Sequence, residues 1–234
     1  MKFHFISFSD QNFRLAQDAL HTEVLSYDEF ESVTSYSREY LQATEFYENH
    51  KILLDEKRGS GWCSWKPYLI KKKILEIPDG DCVVYLDAAD TLQRGITGYL
   101  KQILENEDCL LLNGGYQNSA WTKRDTFVAM KCDKPRFWNA QQLEAGFQVW
   151  KNCENSLKML QLYLEWSLNR VVVTDEIFFF ENFPEYQDHR YDQSVLTNIS
   201  VMFDLPVDGP GLKYCGARKY VTCNVRGQNE LLVE

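Results

Sequence analysis

The sequence predicts an α/β fold, a single domain with a mostly parallel central sheet flanked by helices. Two observations carry that expectation. Short apolar runs of strand character alternate with longer stretches of helical periodicity, the order that joins parallel strands through crossover connections. A chain of 234 residues with 44% hydrophobic and 14% aromatic side chains also has the apolar surface for a sizeable core.

The elements follow in order. Residues 2–8 read as the first strand, and 10–21 as a helix behind an Asp10 N-cap. A short strand is expected near 32–36. Residues 37–57 read as mostly helical, with apolar Leu41, Phe46, Ile52, Leu53 and Leu54. The glycines of RGSGWCSW (58–65) punctuate a loop, and Lys66-Pro67 opens the next helix, a place that suits proline. In that helix Ile70, Ile74 and Leu75 are expected to face the core and Lys71, Lys72 and Lys73 the solvent. Pro78-Asp79-Gly80-Asp81 is a turn that launches the strand CVVYLD. Beyond it come a helix near 96–106, strands at 109–113 and 143–150, a helix at about 153–169, and another from Tyr191. The α/β core is read as 1–203. Residues 204–234, with Pro206, Gly209, Pro210 and Gly211, are read as an irregular tail wrapping the domain or lying over a site.

Composition excludes several classes of function. No run of about 18 apolar residues spans a membrane, and the N-terminus lacks the pattern of a signal peptide. Seven scattered cysteines, none spaced C-x-x-C, fit reduced thiols in the cytoplasm, where loose attachment at a membrane surface stays open. A net charge of −9 argues against a nucleic-acid partner. It leaves room for an anionic small molecule held by a few local cations.

Ligands of open α/β sheets bind beyond the carboxyl ends of the strands. There VVYLDAADTL (83–92) places Asp87 and Asp90. Hard cations such as Mg2+ or Mn2+ prefer carboxylate oxygens, so the pair reads either as a metal site or as a strand end followed by a cap. Phosphatases of the haloacid dehalogenase class carry D-x-D-x-T after such a strand. Here the position two beyond Asp87 is Ala89, and the motif lies deep in the chain. Glu144 interrupts the apolar run LEAGFQVW, where a charge needs a partner, and Gly146 permits close approach of a ligand. The pair reads as a sugar or acceptor contact, or as a plain edge-strand acid.

RGSGWCSWKPYLIKKKILEIPDGDCVVYLDAADTL resembles the ordered blocks R-G-x-G, W-K-P, helix, D-G-D, strand and Y-x-D-A of a bacterial and viral group of GT-A fold glycosyltransferases. LEAGFQVWKN and TDEIFFFENFPEYQDHRYDQSVLT resemble downstream signatures of the same group. The likeness runs through most of 1–203 in the same order. It implies a GT-A-like domain binding a nucleoside diphosphate sugar, with a UDP-sugar favoured, together with Mn2+ or Mg2+ and a glycan or similar acceptor. D-A-A-D departs from the D-x-D of that fold: Ala89 cannot supply the second acid, and Asp90 can do so only if the turn is shaped to bring it round.

The resemblance also distributes roles. Phe8 and Ser9 at the first strand's end, with Asp87 and Ala88, fall to the donor nucleotide-sugar. Arg58 and Lys66 flank a Gly-containing loop and fall to the diphosphate, while Trp62 and Trp65 read as packing. Asp192-Gln193 resembles the D-Q pair of retaining enzymes and, with Glu144, is the catalytic candidate; Asp192 could equally be a helix cap. His189 would complete a metal shell with Asp87 and Asp90, with a structural histidine as the alternative. Arg190 is read as a partner for Asp188 or Asp192. Trp121, Lys123 and Asp125 are placed on the acceptor side, and Asp175 and Glu176 as helix caps. The expected activity is retaining, metal-assisted transfer of a hexose or deoxyhexose. The alternatives are a catalytically silent nucleotide-sugar or glycan binding protein of the same fold, and a phosphatase.

Overall fold

The computed structural model of the chain describes residues 1–223. Its strands, in chain order, are β1 (Phe3–Ser9), β2 (Ser32–Ser37), β3 (Cys82–Leu86), β4 (Thr91–Leu92), β5 (Cys109–Gln117), β6 (Gln141–Lys151), β7 (Val207–Asp208) and β8 (Val221–Thr222). Six of them form one sheet in the order β2-β1-β3-β6-β5-β7, while β4 and β8 pair separately. β1 is parallel to β2 and β3, and β5 to β7; β6 alone runs against both its neighbours.

Both faces of the sheet are covered, which is why FHFISFS and CVVYL are buried at every residue. Alternate side chains serve opposite layers. Ile6, Phe8, Val83 and Tyr85 pack with Leu69, Ile70, Leu160, Tyr163, Val195 and Leu196, from helices Trp65–Ile74, Glu154–Ser167 and Tyr191–Phe203. Phe3, Phe5, Val84 and Leu86 pack with Leu20, Val24, Ile96 and Leu100, from helices Arg14–Leu25 and Ile96–Leu104. No helix among the described residues is long and apolar enough to cross a membrane.

Several expectations need correction. The helix expected over 37–57 divides into Arg38–Gln42 and Glu45–Leu54, because the Thr44 side chain caps the second by accepting from the Tyr47 N–H. Leu75 lies past the end of its helix and is exposed rather than in the core. No helix begins at Asp175 or Glu176, and residues 174–190 carry neither helix nor strand. The Asp125 carboxylate accepts from the N–H groups of Phe178, Phe179 and Phe180 in place of helical partners. The tail is not irregular throughout: β7 extends the main sheet beside β5, and β8 covers β4 immediately after the Asp87–Asp90 turn. Residues 224–234 of the expected tail lie outside the described residues.

Candidate functional site

Asp87 follows the last residue of β3, and its N–H donates to Gly146 O on β6 at 2.9 Å. The Asp90 N–H returns to Asp87 O at 3.0 Å, so D-A-A-D closes as a single tight turn. That turn brings the second acid back beside the first. A Cβ built on Gly146 would lie 3.0 Å from Asp87 Oδ2 and 3.0 Å from Asp90 Oδ2, so the two oxygens are no more than about 6 Å apart. A spacing of three residues thus converges two carboxylates over the one strand position that carries no side chain. No group of three or more His, Cys, Asp or Glu side chains suited to a metal forms among the described residues. The pair can offer two oxygens to a hard divalent cation and leave its remaining positions to water and phosphate.

Beneath this turn lies a buried charge cluster. Lys66 is 3% exposed, with Nζ 3.2 Å from Asp87 Oδ1, 3.0 Å from Asp192 Oδ2 and 3.2 Å from Ala145 O. The Tyr85 hydroxyl also donates to Asp87 Oδ1, and the Tyr163 hydroxyl donates to Asp192 Oδ2 at 3.2 Å. Burial works to discharge Lys66, but Asp192 and Asp87 together outweigh it and hold the ammonium more firmly protonated than a free lysine. Burial likewise pushes the Asp192 carboxyl above the usual range, with Lys66 pulling the other way. The roles expected of these two residues change accordingly. Lys66 is spent on two carboxylates and lines neither of the two clefts that meet at Asp87. Asp192 is a buried counter-ion that does not line the cleft above it.

Two clefts meet at Asp87. One, of about 300 Å³, is lined by Phe8, Ser9, Gly59, Trp65 and Ala88, among others. Phe8 lies against Trp65 with ring centroids 3.8 Å apart, and the Ser9 hydroxyl donates to Gln17 at 2.8 Å. The other, of about 320 Å³, has Asp90, Glu144, Gly146 and Gln193 together with Trp121 and Arg190. Gln193 is fixed there, its amide donating to Gln142 at 2.9 Å and accepting from the Ala145 N–H at 3.4 Å. Glu144 has the partner its setting demands: Arg218 at 2.5 Å, from the segment that leads into β8, while the Cys223 thiol donates to it at 3.1 Å.

Other expected residues are committed elsewhere. Arg58 pairs with Asp175 and, with both Asp188 oxygens at 2.8 Å, ties the 58–65 loop to the 174–190 segment instead of reaching for a diphosphate. His189 is fully buried. Its Nε2 lies 2.9 Å from Val172 O, and its Nδ1 accepts the Lys123 N–H at 3.3 Å. Both ring nitrogens are used, so His189 is a structural histidine and not a metal ligand; burial holds its pKa down to about 3. Lys123 and Asp125 are buried supports of the 174–190 segment, leaving Trp121 alone of that trio in the cleft. Arg190 pairs with neither Asp188 nor Asp192; its guanidinium lies 4.5 Å over the Trp121 ring.

Sequence reasoning passed over Tyr85, Tyr163, Arg218 and the Trp121–Arg190 stack. For Tyr85 a signal was present, since alternation along a strand puts it on the same face as Asp87.

No protein-family model matches the chain, and no curated protein matches its sequence. Among solved structures, the apo form of mouse xyloside xylosyltransferase 1 is similar over 88% of this chain and 84% of its own, at 10% identity and a TM-score of 0.51. The bifunctional glycosyltransferase WbbM matches 85% of this chain at 10% identity and a TM-score of 0.49, and this chain spans 37% of its length. The galactosyltransferase LgtC, in complex with donor and acceptor sugar analogues, matches 88% of this chain and 73% of its own, at 14% identity and a TM-score of 0.44. The likeness to the xylosyltransferase establishes the architecture of this chain as the GT-A glycosyltransferase fold.

Proposed function

We propose that the protein is a glycosyltransferase that moves a hexose or deoxyhexose from a nucleoside diphosphate sugar, UDP-linked in the favoured case, to a glycan or similar acceptor. The observation that carries this reading is the meeting of two clefts at Asp87, with the carboxylates of Asp87 and Asp90 converging on Gly146. The Phe8–Trp65 side offers an aromatic wall and backbone to a nucleoside. The Asp90–Gln193 side offers acids and amides to sugar hydroxyls. Between them a diphosphate needs cationic neutralisation, and Asp87 with Asp90 would hold Mn2+ or Mg2+ for that purpose. Such an ion, when bound, offsets the negative charge that develops on the leaving diphosphate.

The chain's own residues supply position. Lys66 and Tyr85 fix one oxygen of Asp87 and leave the other on the cleft side. Gln193 is held at both ends of its amide, a rigid contact for the sugar. Retention of configuration fits the charges on the far wall. An inverting transfer needs a base free to accept the acceptor's proton, but Glu144 is bound to Arg218 and Asp192 is buried on Lys66.

The test is thermal unfolding with a panel of nucleoside diphosphate sugars, with and without Mn2+. A ligand at 100 times its dissociation constant stabilises by roughly 2.7 kcal/mol. We expect stabilisation that needs Mn2+ and is lost in Asp87→Ala, together with slow donor hydrolysis but no turnover of p-nitrophenyl phosphate. Absence of a shift with every nucleotide sugar refutes the reading. Ligand-dependent shifts without hydrolysis or transfer point to the silent binding protein.

A further inference from the structure

The cations assigned to a diphosphate from the sequence are both consumed: Lys66 lies between the carboxylates of Asp87 and Asp192, and Arg58 pairs with Asp175 and Asp188. Arg218 is neutralised by Glu144, and Lys123 is buried with its ammonium on Glu176 O. One more cation lines the cleft that holds Asp87 and Asp90, and that is Arg190. It makes no ion pair among the described residues. Its backbone is pinned on both sides, the N–H donating to Trp121 O at 3.1 Å and the carbonyl accepting from Gln193 at 2.9 Å. Its guanidinium lies 4.5 Å over the Trp121 ring, which is itself edge-on to Tyr116 at 5.8 Å. A guanidinium held over an aromatic face by its carbon can still offer its N–H groups to two anionic oxygens.

The next residue, Tyr191, has φ of +42°, a left-handed conformation that costs a non-glycine residue energy. That turn stands between Arg190, exposed in the cleft, and Asp192, buried on Lys66. Strain retained where it separates a cleft-lining cation from a buried acid is the kind found at ligand sites.

We infer that Arg190, carried on Trp121, is the residue that grips the donor's diphosphate from the wall facing Asp87 and Asp90. This rests on the transferase reading above. The diphosphate is the anion the position favours, because an acidic sugar would have to settle among Asp90 and Glu144, where the other nearby cation, Arg218, is already paired.

Calorimetric titration of the full chain with UDP, GDP, ADP, CDP and dTDP and the matching monophosphates, in Mn2+, tests the inference. Arg190→Met should weaken the preferred diphosphate at least tenfold and its monophosphate less than twofold, with an unchanged melting temperature. Arg190→Lys, which keeps the charge but loses the fork, should fall between. Diphosphate affinity unchanged in Arg190→Met overturns the inference and leaves the transferase reading standing. So does equal weakening of mono- and diphosphate, the mark of a merely structural role. Loss of glucuronate or N-acetylneuraminate binding with intact diphosphate binding also overturns it, in favour of an acidic sugar. If the unaltered protein binds no nucleotide, the inference falls together with the transferase reading.

Discussion

The Lys66 ammonium lies 3.0 Å from the Asp192 carboxylate, and neither side chain is more than 6% exposed. Taking one member from a buried pair leaves the other uncompensated, which costs about 3–5 kcal/mol. Lys66→Met should therefore lower the unfolding free energy by about that amount in chemical denaturation. Adding Asp192→Asn should restore part of the loss, because the amide no longer demands a cation. The deficit has a pH sign as well. Burial raises the Asp192 pKa in the folded chain, so its ionisation costs stability that is fully present below the ordinary carboxylate pKa and lost as pH rises through the raised value. Without Lys66 that rise is larger, so the deficit of Lys66→Met should shrink from pH 8 to pH 5. A cost under about 1 kcal/mol, or one independent of pH, would show that the cluster is relaxed in solution.

His189 gives the opposite sign. Its folded pKa of about 3 lies below the ordinary value of 6.5, chiefly because burial disfavours the imidazolium and then because Lys123 repels it. A depressed histidine contributes stability that is whole above pH 6.5 and lost as pH falls toward 3. Near pH 4 the loss is roughly 3 kcal/mol. Glutamine keeps a donor and an acceptor but takes no proton. Denaturation of His189→Gln at pH 7 and pH 4 should therefore show a smaller acid loss than the unaltered chain, by about that amount. Equal acid loss in both would mean that the ring is reached by water.

Gly146 tests whether the converging acids hold a cation. A methyl group there would meet Asp87 Oδ2 and Asp90 Oδ2 at 3.0 Å each, so the carboxylates must move apart by a few tenths of an ångström. Gly146→Ala should weaken Mn2+ binding in the presence of nucleotide by about tenfold or more, since fixed oxygen geometry decides affinity at such sites. The melting temperature should shift by only a few degrees. Mn2+ titration by electron paramagnetic resonance reads the effect directly, and unchanged affinity would place the ion away from this pair.

Much of the fold was legible because it is local. The apolar runs FHFISFS and CVVYL, helical periodicity and the Asp10 cap are all written within a few residues of where they act. The place of Asp87 at a strand end was equally visible. What the acids do was not, because it depends on partners distant in sequence. Arg58 meets Asp175 and Asp188 across 117 and 130 residues, and Gln193 meets Gln142 across 51. Composition shows Arg58 as a free cation beside a glycine loop; only the fold shows it already paired. His189 failed as a ligand for the same reason, since the burial that neutralises it comes from residues packed around it. The D-A-A-D turn was hidden for a related reason, because the hydrogen bond from Asp90 N–H to Asp87 O that closes it belongs to the folded chain.

The RGSGWCSW segment carries the last prediction. Residues 59–63 all have positive φ: Gly59 57°, Ser60 49°, Gly61 95°, Trp62 59° and Cys63 55°. Bonds from Trp62 N–H to Arg58 O and from Cys63 N–H to Gly59 O make it one turn of left-handed helix. Each non-glycine residue there costs roughly 1–2 kcal/mol. The turn is held by burial of Trp62 and by Arg38, which donates to Ser60 O at 3.1 Å and Leu54 O at 2.6 Å. Its two glycines should differ sharply. A Cβ at Gly61 would stand 2.6 Å from the Leu54 Cα, a backbone atom that cannot step aside, so Gly61→Ala should cost about 2–4 kcal/mol. At Gly59 the nearest atom is the Cys63 sulfur at 3.2 Å, the end of a side chain that can turn. Gly59→Ala should then cost only the left-handed penalty, about 1 kcal/mol. Because this turn lines the Phe8–Trp65 cleft, nucleotide-induced stabilisation should be lost in Gly61→Ala and largely kept in Gly59→Ala. Equal costs at the two positions in denaturation would mean that the left-handed turn does not persist in solution.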